Sequence, residues 1–232
     1  MVLSKRLKAV TDLLPKGQVV ADIGCDHGYI SIRLVSDHIY ERAIAMDVRK
    51  GPLAIAVENI SRENLTDRIE TRLSDGLNKL EAGEADAAII AGMGGQLLIG
   101  ILDRSIDKAK KLKYMVLQPQ SDIHMVRGYL RDNGFAIQKE DMVKDEGKFY
   151  PMFLVTYVGS VNNDCANDLQ EIYDYYGQYL IDNRNEVLLE YLDYEKDILE
   201  EVLRKVPVES STRREELAHS IVINRHCKEM MI

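Results

Sequence analysis

The sequence predicts an α/β fold: a mostly parallel sheet with helices on both faces, closed by an antiparallel hairpin and followed by an antiparallel, coiled-coil-like helical hairpin. Three observations predict it. Short apolar runs alternate with amphipathic stretches through the first two-thirds of the chain. A glycine turn, Asp22-Ile23-Gly24-Cys25-Asp26-His27-Gly28, ends the first of these runs. Past residue 160, apolar side chains recur at three- and four-residue steps instead. The expected division is residues 1–160 for the sheet domain and 161–232 for the helical one.

The apolar runs lie at 18–23, 43–48, 69–73, 87–91 and 114–117. Each is too short for a stable helix and suits a strand buried on both faces of a parallel sheet. Helical stretches separate them at 29–35, 52–61, 96–102 and 122–133. Pro52 fits a first turn, Asp122 fits an N-cap, and Asn133-Gly134 stops a helix. Two further strand-like runs, 136–143 and 149–158, flank a polar turn at 144–148 and read as a hairpin. Parallel β/α repeats closed by such a hairpin form the class I methyltransferase layout, a Rossmann-like arrangement. That step is analogy at the level of fold.

Residues 162–164 read as a linker. Leu169, Ile172, Tyr173, Tyr176, Leu180, Asn183, Val187, Tyr191, Tyr194, Ile198 and Val202 then form a heptad-like seam that Pro207 breaks. Thr212 and Glu215 have capping-box spacing, and Leu217, Ile221 and Met231 share a face of the next helix. Such a hairpin could hold a nucleic-acid substrate, pack on the sheet or dimerise.

The chain has 232 residues, 46% hydrophobic and 29% charged. That fits one α/β domain with an appendage. Cys25, Cys165 and Cys227 are odd in number and far apart. They suit a reducing, cytoplasmic setting better than a disulfide framework or a zinc site, so no metal is expected. No membrane-spanning run and no signal peptide are expected. Residues 1–159 carry equal numbers of acidic and basic side chains, so the whole net charge of −8 falls on the remainder. An acidic appendage argues against a simple basic-stripe nucleic-acid binder. Local clusters at Lys5-Arg6-Lys8 and Lys108-Lys110-Lys111-Lys113 could bind phosphate or be a solvated surface.

The glycine turn carries the chemistry. Its pattern, Asp-x-Gly-x-x-x-Gly, differs from the Gly-x-Gly-x-x-Gly of dinucleotide sites, whose middle glycine makes room for pyrophosphate. Asp22, Asp26 and Asp47 surround the place where a phosphate would sit. Carboxylates there repel phosphate and suit a cationic ligand with an amino group and free hydroxyls, such as S-adenosylmethionine. Asp47 lies 23 residues after Gly24 at the end of the second run, where an acid accepts both ribose hydroxyls. Val48 follows it. Asp75-Gly76 ends the third run, beside the expected adenine position. Ala91-Gly92-Met93-Gly94-Gly95 ends the fourth, facing the methyl donor and the acceptor.

The expected cofactor-binding set is therefore Asp22, Ile23, Gly24, Asp26, His27, Gly28, Asp47, Val48, Asp75, Gly76, Ala91, Gly92 and Met93. His27 suits either contact with the ligand's methionine end or packing. Gly92, Met93, Gln118 and Pro119 are the expected acceptor-positioning set. In Gln118-Pro119-Gln120, two amides flank a proline and could read a base edge or stabilise a turn. Lys5 and Arg6 are the expected RNA contacts, with Arg33, Arg127 and Arg131 behind them. No nucleophile–base–acid set or metal-ligand spacing is present, and Cys25 sits among acids that disfavour its thiolate.

Leu3-Ser4-Lys5-Arg6-Leu7, Ala21-Asp22-Ile23-Gly24-Cys25-Asp26-His27-Gly28, the strand ending in Asp47, Asp75-Gly76, Gly92-Met93-Gly94-Gly95 and Leu117-Gln118-Pro119-Gln120 together resemble the bacterial tRNA (adenine-N1)-methyltransferases of the TrmK family. The resemblance covers essentially the whole length. It implies S-adenosylmethionine as donor, N1 of the adenine at position 22 of tRNA as acceptor, and tRNA as partner of the helical domain. The competing readings are a methyltransferase for a small molecule, a protein or another RNA, and a non-catalytic RNA-binding protein with a vestigial loop.

Overall fold

The computed structural model describes residues 3–161 and 166–232. The linker expected at 162–164, and Cys165, lie outside the described residues. The chain divides into two compact units, Met1–Asn162 and Asn163–Ile232.

The first unit runs α1 (Lys5–Asp12), β1 (Gly17–Ile23), α2 (Tyr29–Ser36), β2 (Tyr40–Asp47), α3 (Lys50–Arg62), β3 (Ile69–Leu73), β4 (Ala87–Met93), α4 (Gly95–Arg104), α5 (Ile106–Ala109), β5 (Tyr114–Pro119), α6 (Ile123–Asp132), β6 (Phe135–Asp145) and β7 (Lys148–Tyr157). The seven strands are ordered β3-β2-β1-β4-β5-β7-β6. Strands β1 to β5 pair in parallel, and β7 joins β5 and β6 antiparallel. The mixed sheet matches the expected class I layout. The order reverses between β1 and β4, which opens a crevice at their C-terminal ends.

Alternation along the central strands explains the two-sided core. Val20, Ala43, Ala45, Ile89 and Val116 pack with α1, α2 and α3 on one face. Ala21, Ile44, Met46, Ile90 and Leu117 pack with α4 and α6 on the other. A period of two sends successive side chains to opposite faces, so a strand covered on both reads as a continuous apolar run.

The hairpin turn narrows to Glu146-Gly147, both at positive φ (47° and 77°), which suits the twist of a two-residue β-turn. Pro52 falls in the first turn of α3. Asp122 does precede α6, but at φ 51° and without a side-chain cap; its Oδ2 accepts from the Ser121 hydroxyl instead (2.8 Å).

The second unit holds α7 (Asn167–Tyr176), α8 (Gln178–Asp182), α9 (Glu186–Lys205) and α10 (Ser211–Met231). The expected single long seam is broken. Gly177 (φ 90°) and Arg184 (φ 49°) turn the chain, dividing the stretch into three helices. The antiparallel hairpin consists of α9 and α10: Asn224 Nδ2 donates to the Leu192 carbonyl (3.0 Å), and Arg214 Nη1 reaches the Leu203 and Val206 carbonyls (3.1 and 2.9 Å). Leu188 and Leu192 face inward on α9, while Tyr194 is 53% exposed. The packed face therefore lies one position from the seam read at Val187 and Tyr191. The buried polar centre explains the difference. Glu195 accepts from Tyr176 Oη, Tyr191 Oη (both 2.6 Å) and Asn224 Nδ2 (2.9 Å), so hydrogen bonds set the register. The Thr212–Glu215 box is also displaced, because α10 begins earlier with Ser210 as N-cap.

Candidate active site

A cavity of about 410 Å³ lies at the C-terminal ends of β1, β2 and β4. Its floor is the glycine turn. Gly24 (φ 72°) lets the chain bend so that both Gly24 and Cys25 amides donate to the Met46 carbonyl (2.8 and 2.9 Å). A Cβ at Gly24 would lie 2.3 Å from the Met93 methyl. The positive φ is what favours glycine there, since the Met93 methyl ends a flexible side chain that can swing aside. Gly28 (φ 75°) is the N-cap of α2 and packs toward Ala56; it does not line the cavity.

Asp22 and Asp47 are the two buried carboxylates that line the cavity. Burial pushes the Asp22 carboxyl up to about 6, while its hydrogen bonds from Ser31 pull the other way. Asp47 ends β2. Its Oδ1 accepts from the Arg49 amide (2.8 Å) and its Oδ2 from the Asp26 amide (3.3 Å). Two backbone donors fix the carboxylate at the edge of the cavity. Burial first, then the Asp22, Asp47 and Asp26 charges, push the Cys25 thiol far up, so it is no nucleophile.

His27 stacks on Tyr29 (5.5 Å between centroids), and its Nε2 lies 3.5 Å from Asp26 Oδ2. Asp75 is exposed and pairs with Arg104 (3.4 Å). A Cβ at Gly76 (φ 56°) would meet Ile101 at 2.8 Å. Among the expected residues, Asp22, Ile23, Gly24, Asp26, His27, Asp47, Val48, Asp75, Gly76, Ala91, Gly92, Met93 and Arg6 line the cavity.

Gln118 and Pro119 do not. Both are buried in β5, behind the wall. Gln120, the second of the two amides flanking the proline, lines the cavity. Sequence reasoning also missed Arg49, Leu97 and Ile101 as lining residues. The last two stand one turn apart on the helix after the glycine loop, which is the signal that could have found them.

Four carboxylates (Asp22, Asp26, Asp47, Asp75) and two guanidinium groups (Arg6, Arg49) thus line one cavity. Arg49 lies 3.7 Å from Asp47 and 4.0 Å from Asp26. This donor and acceptor set fits a cation carrying an ammonium group and ribose hydroxyls, and it disfavours a pyrophosphate. S-adenosylmethionine fits.

The expected RNA contacts divide. Lys5 is exposed on α1, next to the cavity-lining Arg6. Arg127 is removed from the surface: it is buried, pairs with Glu140 (2.9 Å) and stacks over Phe153 (4.8 Å). Arg33 pairs with Asp37 (2.6 Å) and Arg131 with Asp132 (3.5 Å). Three of the four lysines in the other cluster are engaged as well. Lys113 pairs with Asp86, Lys108 donates to the Leu77 and Asn78 carbonyls, and Lys110 lies over Tyr157. No group of three or more side chains able to hold a metal ion occurs among the described residues, and no helix there is long and apolar enough to cross a membrane.

Comparison with known proteins agrees with this geometry. A family model described as a methyltransferase domain matches residues 3–153. The Bacillus subtilis tRNA (adenine(22)-N(1))-methyltransferase is 37% identical over 166 residues, covering 72% of this chain and 68% of that protein. A Streptococcus pneumoniae protein, provisionally assigned as a tRNA (m1A22) methyltransferase, was solved in complex with S-adenosyl-L-methionine. It superposes with a TM-score of 0.87 at 29% identity, over 98% of this chain and 100% of that one. The B. subtilis M1A22 tRNA methyltransferase TrmK gives 0.85 at 28% identity, over 98% and 99%.

Proposed function

We infer the reaction from the premise that this chain belongs to the methyltransferase-domain family and, within it, to the tRNA (adenine(22)-N(1))-methyltransferases: it transfers a methyl group from S-adenosylmethionine to N1 of the adenine at position 22 of tRNA. The observation that carries this reading is the acidic crevice at the β1–β4 switch point, with Asp47 held at its edge by two backbone donors.

The cofactor supplies an electrophilic methyl group on a cationic sulfur. Asp47 accepts the ribose hydroxyls, and Asp22 and Asp26 give the crevice its negative potential. Val48, Leu97 and Ile101 offer apolar faces to the adenine moiety. The loop Ala91-Gly92-Met93 borders the acceptor side. N1 of adenine carries an in-plane lone pair and needs no deprotonation, so no cavity side chain has to act as a base. The residues contribute orientation and exclusion of water. N1 lies on the pairing edge, so the target base must leave its stack to reach the cavity.

Lys5 on α1 and the exposed Arg49 and Lys50 at the start of α3 are the cations proposed to meet tRNA phosphates. The second unit is proposed as a further tRNA contact, and the cytoplasm as the place of action. The test is transfer of labelled methyl to tRNA, followed by nucleoside identification. The expected product is 1-methyladenosine at position 22. Label appearing in protein or small molecules, with none in tRNA, overturns the reading.

A further inference from the structure

Gln118 is fully buried and does not itself line the cavity, but its side-chain oxygen is bonded to two residues that do, Arg6 and Gly92. Its Oε1 accepts from the Gly92 amide (3.1 Å) and from Arg6 Nη1 (2.9 Å), and its Nε2 donates to the Pro119 carbonyl (3.0 Å). Two donors meet the oxygen and one acceptor meets the nitrogen, so the amide fits only one way round. Arg6 is itself fixed: its amide donates to Asp145 Oδ2 (3.0 Å), and its guanidinium lies over Tyr150 (5.4 Å).

The consequence falls on the peptide between Ala91 and Gly92. A trans peptide points its N–H and C=O in opposite directions. The Gly92 N–H points toward β5, so the Ala91 carbonyl points across toward β1. The β1–β4 ladder ends there, at Ile23 and Ile90. The next amides after β1, those of Gly24 and Cys25, both donate to Met46 on β2, and the Asp26 amide donates to Asp47. The chain that would have continued the ladder has turned away. Ala91 lines the cavity at this point. A backbone carbonyl past the end of its ladder needs another donor.

We infer that Gln118 is a positioning residue that locks the Ala91–Gly92 peptide, so that the Ala91 carbonyl accepts a hydrogen bond from the exocyclic amine of the acceptor adenine. The inference rests on the tRNA-methyltransferase reading and names the acceptor contact within it. The amine neighbours N1 on the same edge of the base. A carbonyl that holds the amine therefore sets the direction of the N1 lone pair. A purine with an oxygen at that position presents an acceptor to an acceptor and is rejected. Gly92 must stay glycine for this geometry: it sits at φ 78°, and a Cβ would lie 3.3 Å from Arg6 Nη1.

The test is a cycle of two changes. Parent, Gln118→Met and Gln118→Glu are each assayed on tRNA carrying adenosine or purine riboside, which lacks the amine, at the target position. Cofactor Kd and thermal unfolding are measured alongside. Removing the amine should cost the parent about 10- to 100-fold in kcat/KM. Gln118→Met should lose roughly tenfold in kcat on adenosine and little more on purine riboside, with cofactor Kd within about twofold. Gln118→Glu keeps an oxygen facing both donors but loses the bond to the Pro119 carbonyl; it should restore part of the rate and keep the preference for the amine. Should Gln118→Met fail to fold, Gln118→Glu carries the test, and loss of its amine preference overturns the inference. Equal losses on removing the amine in parent and Gln118→Met also overturn it. So does an effect confined to cofactor Kd, which would assign the carbonyl to the cofactor's ammonium. A parent that methylates no tRNA sinks the reading beneath it and this inference together; an active parent without the coupling sinks the inference alone.

Discussion

Asp22 Oδ2 accepts from both the amide (3.2 Å) and the hydroxyl (2.8 Å) of Ser31, three residues past the glycine turn, and this pair anchors α2 to the end of β1. Burial nonetheless raises the Asp22 carboxyl from 3.8 to about 6. A carboxyl raised in the folded state favours folding while it is protonated. That contribution is complete below about 3.8 and is lost as pH rises through about 6. Without cofactor, the unfolding free energy should fall by up to roughly 3 kcal/mol across that window, and Asp22→Asn should remove the slope. A cationic cofactor favours the ionised carboxyl, so its affinity should strengthen over the same window. Urea unfolding and calorimetry against pH check both; a slope that persists in Asp22→Asn would place its origin elsewhere.

Asp47→Ala should weaken S-adenosylmethionine binding by roughly 2–4 kcal/mol, because two hydroxyl donors lose a charged acceptor. It also frees the Asp26 and Arg49 amides that hold the loop. Calorimetric titration reads the effect directly. Parental affinity would mean that the ribose is held by another group.

Gly95→Ala should be destabilising, although α4 begins at this residue and alanine suits a helix. A Cβ at Gly95 would lie 2.4 Å from the Ser121 carbonyl oxygen, a backbone atom that cannot swing aside. The expected loss is about 1–3 kcal/mol, the range for overpacking. Activity should fall with it, since the same loop carries Gln120 into the cavity. Unchanged denaturant midpoint and activity would show that the loop yields freely.

Lys5 and Arg127 should separate cleanly. Lys5→Glu should raise KM for tRNA while leaving cofactor Kd near parental, and the parent's KM should rise steeply with salt as phosphate contacts release counterions. Arg127→Met should leave KM for tRNA unchanged in the folded fraction. It should instead cost about 3–5 kcal/mol of stability, because the buried Glu140 carboxylate loses its Arg127 ion pair. A Lys5→Glu enzyme with parental, salt-insensitive KM moves the RNA surface away from α1.

A chain ending at residue 161 should stay folded and bind cofactor, yet methylate tRNA poorly. The first unit contains both apolar layers of the sheet and every cavity-lining residue. Full tRNA activity in the truncated protein would make the second unit dispensable for the substrate. Aggregation would show that it completes the core.

The sheet was readable in the sequence because β1, β2, β4 and β5 are buried on both faces, and such a strand shows as a near-continuous apolar run. Strand β3, expected to be buried as well, lies at the sheet edge with Glu70 and Leu73 exposed. The cofactor loop was readable because Gly24 and Asp47 act through local backbone geometry at strand ends, and chain order alone places such ends side by side. The helical unit was less so. Its apolar spacing promised one long seam, but Gly177 and Arg184 turn the chain, and the hydrogen bonds gathered on Glu195 choose Leu188 and Leu192 as the packed face. A three-to-four spacing cannot tell a face set by apolar contact from one set by a buried polar group.

By itself, then, the sequence determined the strand–turn–helix units, the acids that end them and the ligand those acids suit, since each depends on residues close along the chain. Tertiary structure alone decided which cations remain at the surface and which groups face the cavity. Arg127 and Gln118 look like ligand-binding residues until folding brings Glu140 to one, and Arg6 and Gly92 to the other. Each partner is distant in sequence, and a buried charge or amide takes whichever partner satisfies it, because leaving it without one costs more than any spacing rule records.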